Sequence, residues 1–118
     1  MVQDESETAA NREEKRVYTC IRCGNTITTS KDEMAVEGQF KHSFTNPHGY
    51  MFTIGCFFKA PGCISAGPST DEFTWFPGYA WRISICTACG MHLGWEFSKG
   101  SASFFGLILN NLAEGDGK

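Results

Sequence analysis

Apolar residues occur along this chain in short runs, and turn-forming residues separate one run from the next. The runs at 50–58, 79–85 and 104–109 are rich in isoleucine and aromatic side chains, which favour strands. Glycine and proline interrupt them, as in Asn46-Pro47-His48-Gly49 and Phe76-Pro77-Gly78, and such clusters mark turns. Short strands with frequent turns predict an all-β domain. The run at 104–109 is too short for its periodicity to exclude one or two helical turns.

The tryptophans occupy special places in this pattern. Trp81 opens an alternating run in which it shares one face of a strand with two isoleucines, and Trp95 shares a face with Phe97 in the same way. Trp75 and Trp81 flank a Pro-Gly turn, and turns lie at the surface, where an indole is harder to bury. Two interpretations stay open at this point: the tryptophans form an open aromatic cage, or they fill the core.

Length and charge set the limits of the domain. The chain has 118 residues and a formal net charge of −3, which suits one domain. Residues 1–16 are mostly polar and contain no aromatic residue. We therefore expect a disordered tail at 1–16, a folded domain at 17–113 and a frayed C-terminus at 114–118. The nearly neutral domain lacks the basic surface of a non-specific nucleic-acid binder.

The lengths of the apolar runs indicate the cellular compartment in which we expect the protein. None approaches the length of a membrane-spanning helix, and the N-terminal residues have no apolar segment typical of a secretory signal. We expect a cytoplasmic protein that does not bind a membrane. In a reducing compartment, its six cysteines indicate metal binding rather than a disulfide framework.

Two matching cysteine motifs give the strongest chemical signal. They are Cys20-x-x-Cys23-Gly24 and Cys86-x-x-Cys89-Gly90. The spacing lets both thiolates of a motif face one point, and the glycine permits a tight turn that directs backbone amides toward sulfur. Four thiolates predict one structural Zn²⁺ in a closed tetrahedral site that pins together the two ends of the β domain. Cys56 and Cys63 are interpreted as small buried residues.

A series of motifs resembles the thalidomide-binding (CULT) domain of cereblon. The motifs are Asn46-Pro47-His48-Gly49-Tyr50, Gly67-Pro68-Ser69-Thr70, Thr74-Trp75-Phe76-Pro77-Gly78-Tyr79-Ala80-Trp81, Cys86-x-x-Cys89, His92-Leu93-Gly94-Trp95-x-Phe97 and Phe104-x-Gly106-Leu107. The resemblance covers residues 18–112. The length leaves no room for the N-terminal domain or the ligase-adaptor-binding helices of animal cereblon, so we expect a stand-alone bacterial homologue.

This resemblance implies a fold and a ligand. The fold would be two antiparallel four-stranded sheets that meet at a steep angle and are pinned by zinc. The function would be non-catalytic capture of the glutarimide ring of thalidomide and its analogues. Cyclic imides at protein C-termini and uridine-like compounds are implied as natural ligands.

The resemblance also implies roles for individual residues. Trp75, Trp81 and Trp95 would be the cage walls and Phe97 its base. Main-chain groups of Phe73 and Trp75 would hydrogen-bond the imide, and Asn46 and Pro47 would form the rim. Phe73 replaces a histidine of the animal protein, so only its backbone contact would be kept.

Three other interpretations are weighed against this one. A methionine sulfoxide reductase of the B type has similar motifs, but it needs a nucleophilic cysteine downstream of His-Leu-Gly, and no cysteine follows Cys89. An aromatic cage for a methylated ammonium would use cation–π contacts, with Glu72 or Glu96 as the carboxylate. A purely structural zinc module would bind a protein partner instead of a small molecule.

Overall fold

The computed structural model describes residues 15–116, which form nine β-strands and two short 3₁₀ turns. The strands are β1 (Arg16–Cys20), β2 (Thr26–Thr29), β3 (Lys41–Thr45), β4 (Met51–Phe57), β5 (Cys63–Thr70), β6 (Ala80–Cys86), β7 (His92–Lys99), β8 (Ala102–Ile108) and β9 (Leu112–Asp116). The 3₁₀ turns are Ser30–Asp32 and Leu109–Asn111. The all-β prediction is confirmed, and the run at 104–109 is mainly strand. Across residues 15–116, no helix is long and apolar enough to cross a membrane.

The strands form two antiparallel sheets. The smaller sheet has the order β2-β1-β9 and the larger has the order β3-β4-β8-β7-β6-β5. Two sheets were expected, but the implied count of four strands in each is wrong. β4 pairs with β8 from Ile54 opposite Ile108 to Phe57 opposite Phe105. This pairing joins the β3–β4 hairpin to the β5–β8 strands, so the hairpin extends one continuous sheet.

The larger sheet buries apolar side chains on both faces because successive residues of a strand point to opposite sides. One face packs against the smaller sheet through Tyr18, Ile27, Phe57, Leu93, Leu107 and Leu112. The other face carries Ile54, Cys56, Phe97, Phe104 and Ile108, with Phe76 from the segment 71–79 packed on them. This second face, named the aromatic face below, also carries Trp81 and Trp95.

The ordered chain is slightly longer than the sequence indicated. β1 begins at Arg16, one residue before the expected boundary, and β9 runs to Asp116 rather than ending at residue 113. In β9, Glu114 pairs with Tyr18 across the sheet, and its carboxylate lies 3.3 Å from Arg16 Nε. The expected domain boundaries stay a prediction. Most of the expected tail, at 1–14, and the last two residues lie outside the described part of the chain.

Candidate functional site

Each cysteine motif lies in a turn between two strands. The first turn joins β1 to β2 in the smaller sheet, and the second joins β6 to β7 in the larger sheet. In both turns the glycine amide donates to the carbonyl of the first cysteine, at 2.8 Å from Gly24 to Cys20 and 2.9 Å from Gly90 to Cys86. The two glycines have φ values of 80° and 78°, which suit glycine. The same local geometry therefore presents sulfur atoms from both sheets.

The four sulfur atoms form one cluster. All lie within 4.8 Å of one another, and Sγ separations are 3.7 Å between Cys20 and Cys89 and 3.6 Å between Cys23 and Cys86. Thiolates at about 2.3 Å from a zinc ion are about 3.8 Å apart along the edges of a regular tetrahedron. The cluster is therefore compatible with one structural metal ion.

Hydrogen bonds favour the thiolate form of Cys86. Its sulfur accepts from the Ala88 amide at 3.4 Å and from Asn25 Nδ2 at 3.7 Å. Burial by itself would raise the pKa of Cys86, but the amides of Cys89 and Ala88 and the other donors outweigh burial and lower the pKa to about 6. Thiolates are the metal-binding form of cysteine. Asn25 belongs to the first turn and Cys86 to the second, so this contact also links the two sheets.

The two remaining cysteines have a different environment. Cys56 is fully buried in β4, and Cys63 is half-buried at the start of β5. Burial raises the pKa of both thiols to about 12, so at neutral pH they are protonated. A catalytic thiol needs the opposite shift, because the thiolate is the nucleophile.

A cavity of about 440 Å³ opens on the aromatic face, a volume typical of small-molecule sites. It is lined by Asn46, Pro47, His48, Phe73, Trp75, Trp81, Trp95 and Phe97. The structure thus brings together all seven residues named from the sequence as ligand-binding, and adds His48. Their roles toward a ligand stay a prediction.

The cavity walls come from two strands and one loop. Trp81 lies on β6, directly opposite Phe97 of β7, and its indole Nε1–H donates to the Glu72 carbonyl at 2.8 Å. That bond ties the segment 71–79 to the sheet. Trp75 lies in this segment, with its ring centroid 4.8 Å from that of Trp95 and the planes at 74°. The walls therefore face the opening at different angles.

A second layer of rings supports two of the walls. Phe44 of β3 stacks on Trp75, with centroids 4.9 Å apart, and Phe52 of β4 contacts Trp75 at 6.0 Å and Trp95 at 5.4 Å. The sequence analysis missed both phenylalanines. The available signal was the alternation in β3, which places His42 and Phe44 on one face.

The base of the cavity is part of the core, whereas its walls are not. Phe97 is only 1% exposed and packs against Phe76 at 4.9 Å and Phe104 at 5.2 Å. The three tryptophans are half-buried, so they are neither core residues nor fully exposed ones. The three indoles line an open cavity, and their action as a ligand cage stays a prediction.

The segment 71–79 leaves backbone groups unused at the cavity. The Thr74 amide donates to the Asp71 carbonyl at 3.3 Å, and Phe73, between them, has a φ of 59° and a side chain that is mostly exposed. Among the hydrogen bonds of residues 15–116, none uses the backbone amide or carbonyl of Phe73 or Trp75. These backbone groups therefore have no partner within residues 15–116 and are available to a ligand.

The rim of the cavity is a fixed turn. Asn46 Oδ1 accepts hydrogen bonds from the amides of His48 and Tyr50, at 3.0 and 2.9 Å, and closes the β3–β4 turn. The side-chain oxygen of Asn46 is therefore occupied. The expected rim contact with a ligand is left to its amide nitrogen and to Pro47.

His92 supports Trp95 from behind. Burial lowers the pKa of His92, so the ring is neutral at neutral pH, and its Nε2–H donates to the Gly94 carbonyl at 2.9 Å. The edge of the imidazole meets the indole of Trp95, with centroids 4.9 Å apart and planes at 87°. His92 therefore acts as a packing residue behind this wall of the cavity.

The two carboxylates considered for an ammonium cage do not line the cavity. Glu96 lies between Trp95 and Phe97 in β7, so its side chain points to the opposite face, where Ser65 Oγ donates to it at 2.5 Å. Glu72 contributes its carbonyl to Trp81 instead of its carboxylate to the cavity. The aromatic cavity of the described chain therefore has no anionic side chain in its lining.

Comparisons with known proteins identify the class of domain. No protein-family model matches the chain. Among curated proteins, it is 38% identical over 82 residues to Protein cereblon of Gallus gallus, an alignment that covers 67% of this chain and 18% of the relative. It is also 38% identical to Protein cereblon of Danio rerio over 82 residues, covering 67% and 19%.

A more distant relative aligns over more of the chain. Protein cereblon of Drosophila melanogaster is 31% identical over 114 residues, which cover 86% of this chain and 19% of the relative. The chain thus spans less than a fifth of the length of these curated relatives. With this identity over most of its own length, together with the cysteine cluster and the aromatic cavity, the chain is a cereblon-like (CULT) domain.

Proposed function

We propose that this domain is a non-catalytic receptor that captures a cyclic imide, in the first place the glutarimide ring, in the cavity between Trp75, Trp81 and Trp95. The observation that carries the proposal is the combination of an aromatic cavity with unused backbone groups of Phe73 and Trp75 at its edge. A glutarimide has apolar methylenes, one N–H donor and two carbonyl acceptors. Indole faces suit the methylenes, and backbone amide and carbonyl groups suit the imide.

The imide N–H gives the decisive test. A glutarimide of about eight non-hydrogen atoms, at about −0.8 kcal/mol per atom, would bind with a dissociation constant on the order of 10 μM. N-methylglutarimide should bind at least about tenfold more weakly, because it lacks the donor and leaves a backbone carbonyl unpaired in a partly dry site. Titration followed by tryptophan fluorescence measures both. Equal affinities would contradict the proposed hydrogen bond.

The natural ligand is proposed to contain the same chemical group. A cyclic imide at a protein C-terminus and a uridine-like ring both place an N–H between two carbonyls. A peptide that ends in a cyclic imide should raise the melting temperature of the domain, whereas the same peptide with an open amide terminus should not. Uridine and N3-methyluridine form the matched pair for the nucleoside arm of this screen.

The metal is proposed to be one Zn²⁺ per chain, held by Cys20, Cys23, Cys86 and Cys89. An all-thiolate tetrahedral set is typical of structural zinc, and the sulfur separations fit it. When bound, the ion would cross-link the smaller sheet to the larger one. It would not take part in ligand capture, because none of its ligands lines the cavity.

The cavity is proposed to bind without turnover. Of the side chains that line it in the described chain, only His48 is titratable, and none is a nucleophilic hydroxyl or thiol. The imide ring of thalidomide should therefore hydrolyse no faster in the presence of the domain than in buffer. A faster hydrolysis rate that disappears in Trp81→Ala would show that the domain is an enzyme.

Quenching of tryptophan fluorescence by a trimethylammonium ligand, with none by glutarimide, would favour the ammonium cage instead.

A further inference from the structure

Cys63 lies directly opposite the metal-cluster residue Cys86 on neighbouring strands. Next to this pair, the Thr87 amide, just after β6, donates to the carbonyl of Gly62, just before β5, at 2.9 Å, while the Cys86 amide donates to the carbonyl of Met91. Cys63 and Cys86 therefore form a non-hydrogen-bonded pair, the closer type of antiparallel pair, with Cα atoms about 4.5 Å apart. Disulfides join Cα atoms about 4.4–6.8 Å apart.

The two cysteines differ in the environment of their sulfur atoms. Cys86 belongs to the cluster of four, and Cys63 lies outside it. Cys63 is also half-buried rather than buried, on β5, which is an edge strand of the larger sheet. Cys86 is itself buried, so a small oxidant would reach it from the sheet edge, on the side of Cys63. Cys56 has no such neighbour, since it lies on the aromatic face among apolar side chains.

We propose that a peroxide converts Cys63 and Cys86 into a reversible disulfide and so withdraws one ligand from the metal. The Cys86 thiolate attacks one peroxide oxygen, the O–O bond breaks and hydroxide leaves, which yields a sulfenic acid. Cys63 passes its proton to the sulfenic oxygen and its thiolate attacks Cys86 sulfur, so that the S–O bond breaks and water leaves. The first hydroxide takes a proton from solvent. The two cysteines lose two electrons, and the peroxide is reduced to two waters.

Formation of this disulfide would also affect the metal site and the cavity. Only three thiolates would remain for the ion that joins the two sheets, and β6, which carries Cys86, also carries Trp81. Oxidation should therefore release metal and loosen the cavity, and a dithiol with added zinc should restore both. The inference rests on the zinc proposed above, but it is independent of which ligand the cavity binds.

The test uses the full chain loaded with zinc and treated with hydrogen peroxide. Zinc release is followed with a coloured chelator, and disulfides are mapped by peptide mass spectrometry under non-reducing conditions. The wild type should yield a Cys63–Cys86 peptide pair and release zinc. Cys63→Ala should release zinc about tenfold more slowly, because it lacks the thiol outside the cluster that resolves the sulfenic acid, and the other cluster thiolates are held by the metal. The matched control Cys56→Ala should behave like the wild type.

Two results would overturn the proposal. One is zinc release from Cys63→Ala at the wild-type rate, and the other is a disulfide map that contains only pairs within the cluster of four. Cys63→Val, which keeps a strand-forming side chain, serves if the alanine variant does not fold, and the wild-type map needs no variant at all. Zinc content measured before oxidation separates a failure of this inference from a failure of the zinc proposal. No step of this test measures imide binding, so its outcome does not depend on the ligand of the cavity.

Discussion

Different kinds of contact hold the three walls of the cavity in place. Trp81 is fixed by a hydrogen bond to the Glu72 carbonyl, whereas Trp75 and Trp95 are fixed by other rings. Because the three indoles make up much of the cavity lining, loss of any one of them should expose more of the cavity to water. The three walls therefore differ in how they are held, but each contributes to the shape of the cavity.

The first prediction concerns these walls. Trp75→Ala, Trp81→Ala and Trp95→Ala should each lower glutarimide affinity at least about tenfold, or about 1.4 kcal/mol, because ring contact is lost. Isothermal titration calorimetry measures the affinity, and metal content shows that the fold is retained. Phe58→Ala is the control, since Phe58 is 57% exposed and does not line the cavity. A wall variant with wild-type affinity would exclude that indole from the binding site.

The second prediction compares two buried hydroxyls. Ser84 is fully buried, and within residues 15–116 its Oγ has no hydrogen-bond partner, whereas Thr28 Oγ1 donates to the Lys59 carbonyl at 2.7 Å. Ser84→Ala should leave stability unchanged or raise it by about 1 kcal/mol, because it removes an unpaired polar group. Thr28→Val should lower the free energy of unfolding by about 1–2 kcal/mol, because the Lys59 carbonyl loses its hydrogen-bond donor. Urea unfolding at saturating zinc measures both, and equal losses would show that Ser84 has a partner.

At the scale of elements, one glycine in β8 makes room for the base of the cavity. A Cβ on Gly106 would lie 2.8 Å from Ile54 Cδ1 and 2.9 Å from Phe97 Cε2. The ring of Phe97 can therefore approach β8 this closely only because residue 106 has no side chain. Strand β8 thus shapes the cavity without contributing a residue to its lining.

The third prediction follows from this contact. Gly106→Ala should displace the Phe97 ring toward the cavity, lower glutarimide affinity severalfold and cost about 1–3 kcal/mol of stability through overpacking. Gly115→Ala is the matched control, because its Cβ would meet nothing within 4 Å in β9. Calorimetric titration and thermal unfolding report the two effects. Unchanged affinity in Gly106→Ala would show that the base adapts without closing the cavity.

The strands themselves could be predicted from the sequence, but their pairing could not. The run at 79–85 became β6 at nearly the expected bounds, because alternation is a local property. The pairing of β4 with β8 joins segments about fifty residues apart, and no local pattern records it. Phe44 and Phe52 were missed for the same reason: they became visible as supports only when the hairpin was placed against Trp75 and Trp95.

For the molecule as a whole, the cysteine spacing was more informative than the apolar pattern. Two identical motifs far apart in sequence predicted that four sulfurs meet, and the structure brings them within 4.8 Å. The motifs lie in turns of different sheets, so a metal between them would add a coordinate link to the apolar contacts and hydrogen bonds that already join the sheets. The polar contact from Asn25 to Cys86 crosses the same junction.

The last prediction concerns removal of this metal. Structural zinc contributes about 10–16 kcal/mol of apparent binding free energy in small zinc domains, and a domain is stable by only about 5–15 kcal/mol in total. Chelation should therefore unfold the domain, with loss of the β signal in circular dichroism and of glutarimide binding, and added Zn²⁺ should restore both. Cys20→Ser should produce the same unfolded state without a chelator, whereas Cys56→Ala should keep one zinc per chain. A metal-free protein that stays folded and binds glutarimide would show that the core between the sheets suffices, and the cysteine cluster would then need another explanation.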